Sequence, residues 1–374
     1  MRHVLMSADA SGGEWASALE LCRALGARGL SVTLATQGAP LLPSQWAEAG
    51  GVPGLRVEQG AWRSENAPDA WADVAAAGAW LLELEARYLP DVVHLHGYCH
   101  GALPWRRKPL VVAQACPRAR AARDPLYDAE VTRGLRAAGH VAVPSLALRE
   151  SLELQAGPLP RTSLIPPARC HTGFPPAALR EPFVFTQGAP WDEARNLEVL
   201  EAVAPRLDWP ILVAGPLEHP AGGRVRSRTV HFLGDLPRSA LADRLGRASL
   251  FVLPSREEPS GLAALDAALA GCALVLGDIP ALREMWEDAA VFVSPEDPQM
   301  WTRALRRLLG DPVLRGRMST LARTRALAFS PERMADAYLA LYGRLGECSQ
   351  RTPSSQPQLA RAMTGAEWGR SGAL

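Results

Sequence analysis

The sequence predicts two α/β domains, each a mostly parallel sheet flanked by helices. Three observations predict this. β-Branched runs alternate with Ala/Leu-rich helical patterns along most of the chain. A cluster of prolines interrupts the alternation once, near the middle. The 374 residues also exceed the roughly 250–300 that one core organises.

In the first half, strands are read at Val4–Met6, Ser31–Ala35, Asp91–Leu95, Leu110–Ala113 and His140–Val143. From about Glu14, the residues Trp15, Ala18, Leu19, Cys22 and Leu25 recur at helical period, and Gly26 and Gly29 punctuate the turn that follows. Strands joined in this way need right-handed crossovers, which give a parallel sheet covered on both faces. The segment from Ile165 to Pro182 holds Pro166, Pro167, Pro175, Pro176 and Pro182. A helix or central strand does not accommodate such a density, so residues 169–182 are expected as a linker.

Beyond the linker the alternation restarts, with strands at Phe183–Thr186, Ile211–Ala214, Val230–Leu233, Leu250–Leu253, Ala273–Leu276 and Val291–Val293. Helices are read at about Arg195–Pro205, Ser239–Arg247, Leu262–Ala270, Ala281–Trp286, Gln299–Leu309 and Pro312–Ala328. A last helix, Pro331–Leu345, shows Met334, Tyr338, Leu339, Leu341 and Tyr342 as an apolar face. From about Glu347 the chain turns polar and proline-containing, the composition of a disordered tail. The expected division is an N-terminal domain over 1–168, the linker over 169–182, a C-terminal domain over 183–328, a closing helix over 329–346 and a tail over 347–374.

Composition excludes several classes. With 40 basic against 39 acidic residues, the net charge of +1 provides no electrostatic footprint for nucleic acid. No stretch approaches the ~20 apolar residues of a membrane span, and the apolar run after Met1 is too short for a signal peptide. Peripheral membrane contact and oligomeric state stay open. The six cysteines are scattered without paired metal spacing, as in a chain kept reduced, so the cytoplasm is the expected compartment.

Two strand-to-helix loops have the chemistry of an anion site. Gly12-Gly13 follows the first strand, so backbone N–H groups meet a ligand without a Cβ in the way; a plain tight turn explains that pair equally well. The strand Leu250–Leu253 runs into Pro254-Ser255-Arg256-Glu257-Glu258-Pro259-Ser260-Gly261, and a helix opens at Leu262. Free amides at Gly261 and Leu262 and the helix dipole favour a diphosphate there. Asp266, one turn further, is placed to accept from ribose hydroxyls, and Glu258 to reach hydroxyls beyond the phosphates.

The stretch from Pro254 to Gly271 resembles the donor-site signature of family 4 glycosyltransferases, in which two Glu eight residues apart frame a Phe-Gly-Leu. The resemblance continues through Ala273–Pro280 and Leu282-Arg283-Glu284. It is supported by Trp191-Asp192-Glu193-Ala194-Arg195-Asn196-Leu197, by Ala214-Gly215-Pro216 and by Gly12-Gly13. It implies the GT-B architecture, two Rossmann-like domains facing across a cleft, with the acceptor on the N-terminal side and a last helix crossing back to that side. It further implies transfer of a sugar from a nucleoside diphosphate to a hydroxyl acceptor, with retention of configuration and no catalytic metal or cofactor beyond the donor. By position it casts Glu258 and Arg195 as catalytic, and Gly12, Gly13, Ser260, Gly261, Leu262 and Asp266 as donor-binding.

Departures from the family pattern are specific. Gly188-Ala189-Pro190 lacks a phosphate-binding Arg, Arg195 stands for a Lys, Ser260 for Phe and Asp266 for Glu. Gln114 stands where a His often faces the donor sugar, and Pro166-Pro167-Ala168 replaces a Pro-Asn-Gly linker. They keep two other readings open, an impaired GT-B homologue serving as a binding or partner subunit and a nucleotide-sugar epimerase. His96, Tyr98, His100 and Gln114 are the acceptor-side candidates. His94, His96 and His100 with Cys99 have no Zn-like spacing, and Trp105 reads equally as a stacking platform or as core.

Overall fold

A computed structural model describes all residues except 11, 66, 68, 114–116, 118–123, 220–221, 259 and 351–374, and the side chains of 346–350. One sheet has seven parallel strands: β1 (His3–Asp9), β2 (Ser31–Gln37), β3 (Leu55–Gln59), β4 (Val92–His96), β5 (Leu110–Val112), β6 (His140–Val143) and β7 (Thr162–Leu164). Their order is β3-β2-β1-β4-β5-β6-β7, so strand order reverses beside β1. Helices α1 (Gly12–Gly26), α2 (Pro43–Gly50), α3 (Trp71–Tyr88), α4 (Pro125–Ala137) and α5 (Leu146–Ala156) connect them.

The second sheet has six parallel strands: β8 (Glu181–Gln187), β9 (Ile211–Ala214), β10 (His231–Gly234), β11 (Ala248–Leu253), β12 (Ala273–Gly277) and β13 (Val291–Val293), in the order β10-β9-β8-β11-β12-β13. Its helices are α6 (Leu197–Val203), α7 (Arg238–Arg247), α8 (Leu262–Leu269), α9 (Pro280–Trp286), α10 (Pro298–Gly310) and α11 (Pro312–Ala326). In both sheets, ligands are expected where strands end and helices begin.

The central strand β11 is buried along its whole length, as a parallel strand covered by helices on both faces must be. It meets α8, whose residues from Ala263 to Leu269 are all buried. Four of those seven are alanines, which let the helix approach the sheet and receive Ala322 and Ala326 of α11 in the same core.

A last helix, α12 (Pro331–Gln350), leaves the second domain and packs on the first. Met334, Ala335, Tyr338, Leu341 and Tyr342 join Val4, Met6, Ala18 and Cys22 in one core, and Tyr342 Oη lies 2.6 Å from His94 Nδ1. The helix runs past Leu345, and the expected tail lies from residue 351 outside the described residues.

Three expectations need correction. β3 and β7 are not read from the sequence: both are short, partly buried edge strands, β7 has no alternation, and in β3 only Leu55 and Val57 alternate with Arg56 and Glu58, too few positions to stand out. The expected linker is shorter than its prolines suggest, since Pro182 lies inside β8. It is tolerated because β9 pairing begins at Val184 and the β11 register shifts between Ala248 and Leu250. Arg195 does not open a helix: it ends a 3-10 turn, Asn196 follows at φ 54°, and α6 starts at Leu197. Among the described residues no helix is long and apolar enough to cross a membrane.

Candidate functional site

The loop after β11 and the loop after β8 meet at the N-terminus of α8. Asn196, buried in its left-handed conformation, donates from Nδ2 to Pro254 O at 3.0 Å and Pro295 O at 2.8 Å. Arg256 N–H donates to Ala194 O at 2.9 Å. These ties hold the Arg195 loop against the Glu258 loop.

Arg195 Nη1 donates to Glu258 Oε2. Glu258 is 4% exposed, and its Oε1 accepts from Gly261 N at 2.9 Å and Ser260 Oγ at 3.2 Å. The Glu258 charge, set against the cost of burial, holds the Arg195 guanidinium still more firmly protonated. Glu258 therefore sits on the very helix terminus that the sequence reserves for a diphosphate. Pro259 lies outside the described residues.

Glycines shape the surrounding backbone. Gly261 caps α8 at φ 62°, and a Cβ there would come 2.7 Å from Met285 Sδ. A Cβ on Gly215 would lie 2.1 Å from Gly188 O, so the β9 turn and the Arg195 loop touch through bare backbone.

Across the cleft, Gly12 and Gly13 form the first residues of α1 instead of the expected loop, and a Cβ on Gly13 would lie 3.6 Å from Leu262 Cδ1, so the start of α1 faces the start of α8. The cavity left between the domains is about 30 Å³ and is bordered by Ser17, Ile165, Ser260, Leu262, Met334 and Tyr338.

Asp266 is 5% exposed and faces the segment between the sheets, where Arg169 Nε donates to its Oδ1 at 3.0 Å. Burial pushes the Asp266 carboxyl up, and the Arg169 and Arg238 guanidinium groups oppose that. Sequence reasoning missed Arg169, because no motif marks a buried arginine in a proline-rich segment. It also missed two interdomain carboxylates. Glu284 of α9 accepts from Leu146 N at 2.8 Å and Ala147 N at 3.3 Å, at the start of α5. Glu20 of α1 accepts from Cys170 N at 2.6 Å and lies 3.8 Å from Arg238.

On the acceptor side, His96 and His100 border a pocket with Asp9, Glu14 and Glu65 at the ends of β1 and β4. His96 Nδ1 donates to Ser7 O at 2.7 Å, and burial pushes the imidazole down to about 4, so it is neutral with Nε2 free to accept. His100 Nε2 is spent on Val74 O at 2.9 Å. Glu65 accepts from Tyr98 N at 2.8 Å and Cys99 N at 2.9 Å. Asp9 N donates to Glu14 Oε1 at 2.6 Å, and burial pushes the Glu14 carboxyl up to about 8.

Tyr98 corrects its expected place: it is 2% exposed in the core beneath the pocket, with Val111 and Tyr127. Trp105 likewise packs on the cluster of Leu5, Leu81 and Leu84. Gln114 lies outside the described residues. Among the described residues no group of three or more His, Cys, Asp or Glu gathers to hold a metal ion.

Two facing parallel-sheet domains with a site at the carboxyl ends of their strands define the GT-B class. Solved structures share that fold. Sucrose-phosphate synthase from Thermosynechococcus elongatus superposes with a TM-score of 0.78 at 19% identity, covering 93% of this chain and all of that one. Anabaena HepE in complex with UDP and glucose superposes with a TM-score of 0.73 at 12% identity, covering 92% of this chain and 100% of that one.

The sequence matches the family Glycosyl transferase 4-like domain over residues 12–168 and Glycosyl transferases group 1 over 185–311. The chain belongs to the glycosyltransferases of the GT-B type. Among curated relatives, the D-inositol 3-phosphate glycosyltransferase of Jonesia denitrificans is 30% identical over 36% of this chain, and the match spans only 34% of that relative. The protein of the same name from Geodermatophilus obscurus is 26% identical over 90% of this chain and 86% of its own length.

Proposed function

We propose that this protein transfers a sugar from a nucleoside diphosphate to a hydroxyl acceptor, with retention of configuration and without a metal. The observation that carries the reading is the buried Glu258 carboxylate, held by Arg195 and the Gly261 N–H at the start of α8. Those two donors are what a departing diphosphate needs, since the charge that develops on it is met by a guanidinium and a helix terminus.

Donor binding would then be an exchange. The diphosphate takes Arg195 and the helix amides, and Glu258 is released toward hydroxyls of the transferred sugar. The cavity of about 30 Å³ is far smaller than a nucleotide, so the domains part to admit the donor. On the other wall, the neutral Nε2 of His96 and the carboxylates of Asp9 and Glu65 suit an acceptor rich in hydroxyls, which they accept from. That HepE was solved with UDP and glucose and has the same fold supports a nucleotide-sugar donor.

Incubation with UDP-, GDP-, ADP- and TDP-sugars, with and without chelator, tests the reading. The expected result is release of nucleoside diphosphate with one donor, chelator-insensitive, and a product that keeps the donor's anomeric configuration by NMR. Absence of both turnover and nucleoside-diphosphate binding contradicts it.

A further inference from the structure

Arg169 precedes β8 in the segment between the two sheets, yet its side chain reaches the donor wall of the cleft. It is 4% exposed. Its own N–H donates to Phe329 O at 3.2 Å, which fixes the start of the side chain, and Nε donates to Asp266 Oδ1 at 3.0 Å. The Nη1 branch of the guanidinium is buried without an acceptor.

Gln187, at the end of β8, lies close enough to the Asp266 carboxyl to oppose its upward shift, and its Oε1 is buried without a donor. Two unpaired polar atoms of opposite type therefore flank one carboxylate. Leaving such atoms unpaired in a protein interior is costly. A hydroxyl satisfies both kinds, because its oxygen accepts from the guanidinium while its hydrogen goes to an amide or carboxylate oxygen. A phosphate fits less well: it offers nothing to Gln187 Oε1 and is repelled by Asp266.

We propose that Arg169 is a ribose-binding residue, which orients Asp266 toward the vicinal hydroxyls of a nucleoside diphosphate and gives Nη1 to one of their oxygens. The inference rests on the donor reading above. It assigns nucleoside recognition in part to the segment between the domains rather than to the α8 loop alone. It also accounts for the short side chain at 266, since Arg169 holds the carboxylate in place and supplies a second contact. The next residue links this point to the first domain, because Cys170 N–H donates to Glu20 of α1 at 2.6 Å.

The test titrates the full chain with UDP, GDP and ADP, with the 2′-deoxy counterpart of each, and with inorganic pyrophosphate. The wild type is expected to prefer one ribonucleotide over its deoxy form by about tenfold, the loss expected when a charged site gives up one hydroxyl. R169M is expected to bring that ratio close to one, with pyrophosphate affinity unchanged, and R169K to fall between. A purely structural pair would weaken ribo, deoxy and pyrophosphate binding together, which overturns the proposal. So does a folded R169M that keeps the full preference, or a wild type that has none.

If R169M does not fold, R169K decides. At wild-type Tm, an undiminished preference overturns the proposal, and a clear reduction supports it. Failure of every nucleoside diphosphate to bind the wild type overturns the donor reading as well. Loss of the preference in D266N but not in R169M overturns the Arg169 assignment alone.

Discussion

Arg195 Nη1 and Glu258 Oε2 form an ion pair between loops 63 residues apart, at the mouth of α8. The same carboxylate takes the Gly261 N–H at 2.9 Å. Glu258 thus holds the two groups that a donor diphosphate requires, and donor and side chain compete for them.

Glu258→Gln separates the two roles. The amide removes the competing charge while keeping the shape, so nucleoside-diphosphate affinity is expected to rise about tenfold in calorimetry. Sugar turnover is expected to fall about a hundredfold, because the contact to the sugar is lost. Unchanged or weaker nucleotide binding would show that Glu258 does not compete with the donor.

Arg195→Met removes the cation and leaves a buried carboxylate without its counter-charge. Transfer is expected to drop by about one to two orders of magnitude. Stability is expected to drop by about 2 kcal/mol, less than for a fully buried pair because the Arg195 side chain is 31% exposed. The double variant Arg195→Met with Glu258→Gln should regain the lost stability in thermal unfolding without regaining turnover.

Glu284→Ala cuts a tie between the domains. The start of α5 keeps its Ser145 cap, in which Ser145 Oγ accepts from Leu148 N at 3.2 Å, so the helix survives. The expected cost is about 1 kcal/mol, together with a larger radius of gyration in small-angle scattering as the cleft spends more time open. An unchanged scattering curve would show that this contact does not hold the domains together.

Glu14 gives the acceptor wall a pH signature. Its carboxyl is pushed up to about 8, chiefly by burial, against an ordinary 4.5 in the unfolded chain. The folded chain then keeps a proton that the unfolded chain has lost, so stability is full below about 4.5 and is lost as pH rises toward 8. The Tm of the wild type relative to Glu14→Gln is therefore expected to fall from pH 5 to pH 8. A constant difference would contradict this placement of Glu14.

Much of this was legible in the sequence where local pattern and tertiary role agree. Val252 and Leu274 belong to apolar runs because their strands are covered on both faces, and Glu258 through Leu262 carry a loop chemistry that short-range spacing displays. What escaped depends on long-range placement. β3 and β7 lie at sheet edges where burial is partial, and Pro182 is accommodated by a register shift set by β11. Arg169 meets Asp266 from 97 positions away, and Glu284 meets Leu146 from 138. No window of sequence contains either pair. Tyr98 follows the same rule: its neighbours His96 and His100 border the pocket, but the Glu65 contacts to the backbone at 98 and 99 fix a turn that sends its ring inward.

The central claim is that a nucleoside diphosphate binds where Arg195, Gly261 and Glu258 now satisfy one another. Calorimetric titration of wild type, Glu258→Gln and Arg195→Met with UDP, GDP, ADP and TDP tests it most directly. The account predicts that one nucleotide binds the wild type, binds Glu258→Gln about tenfold more tightly and binds Arg195→Met about tenfold or more weakly. Equal affinity for all three proteins, or no binding of any nucleotide, would contradict it.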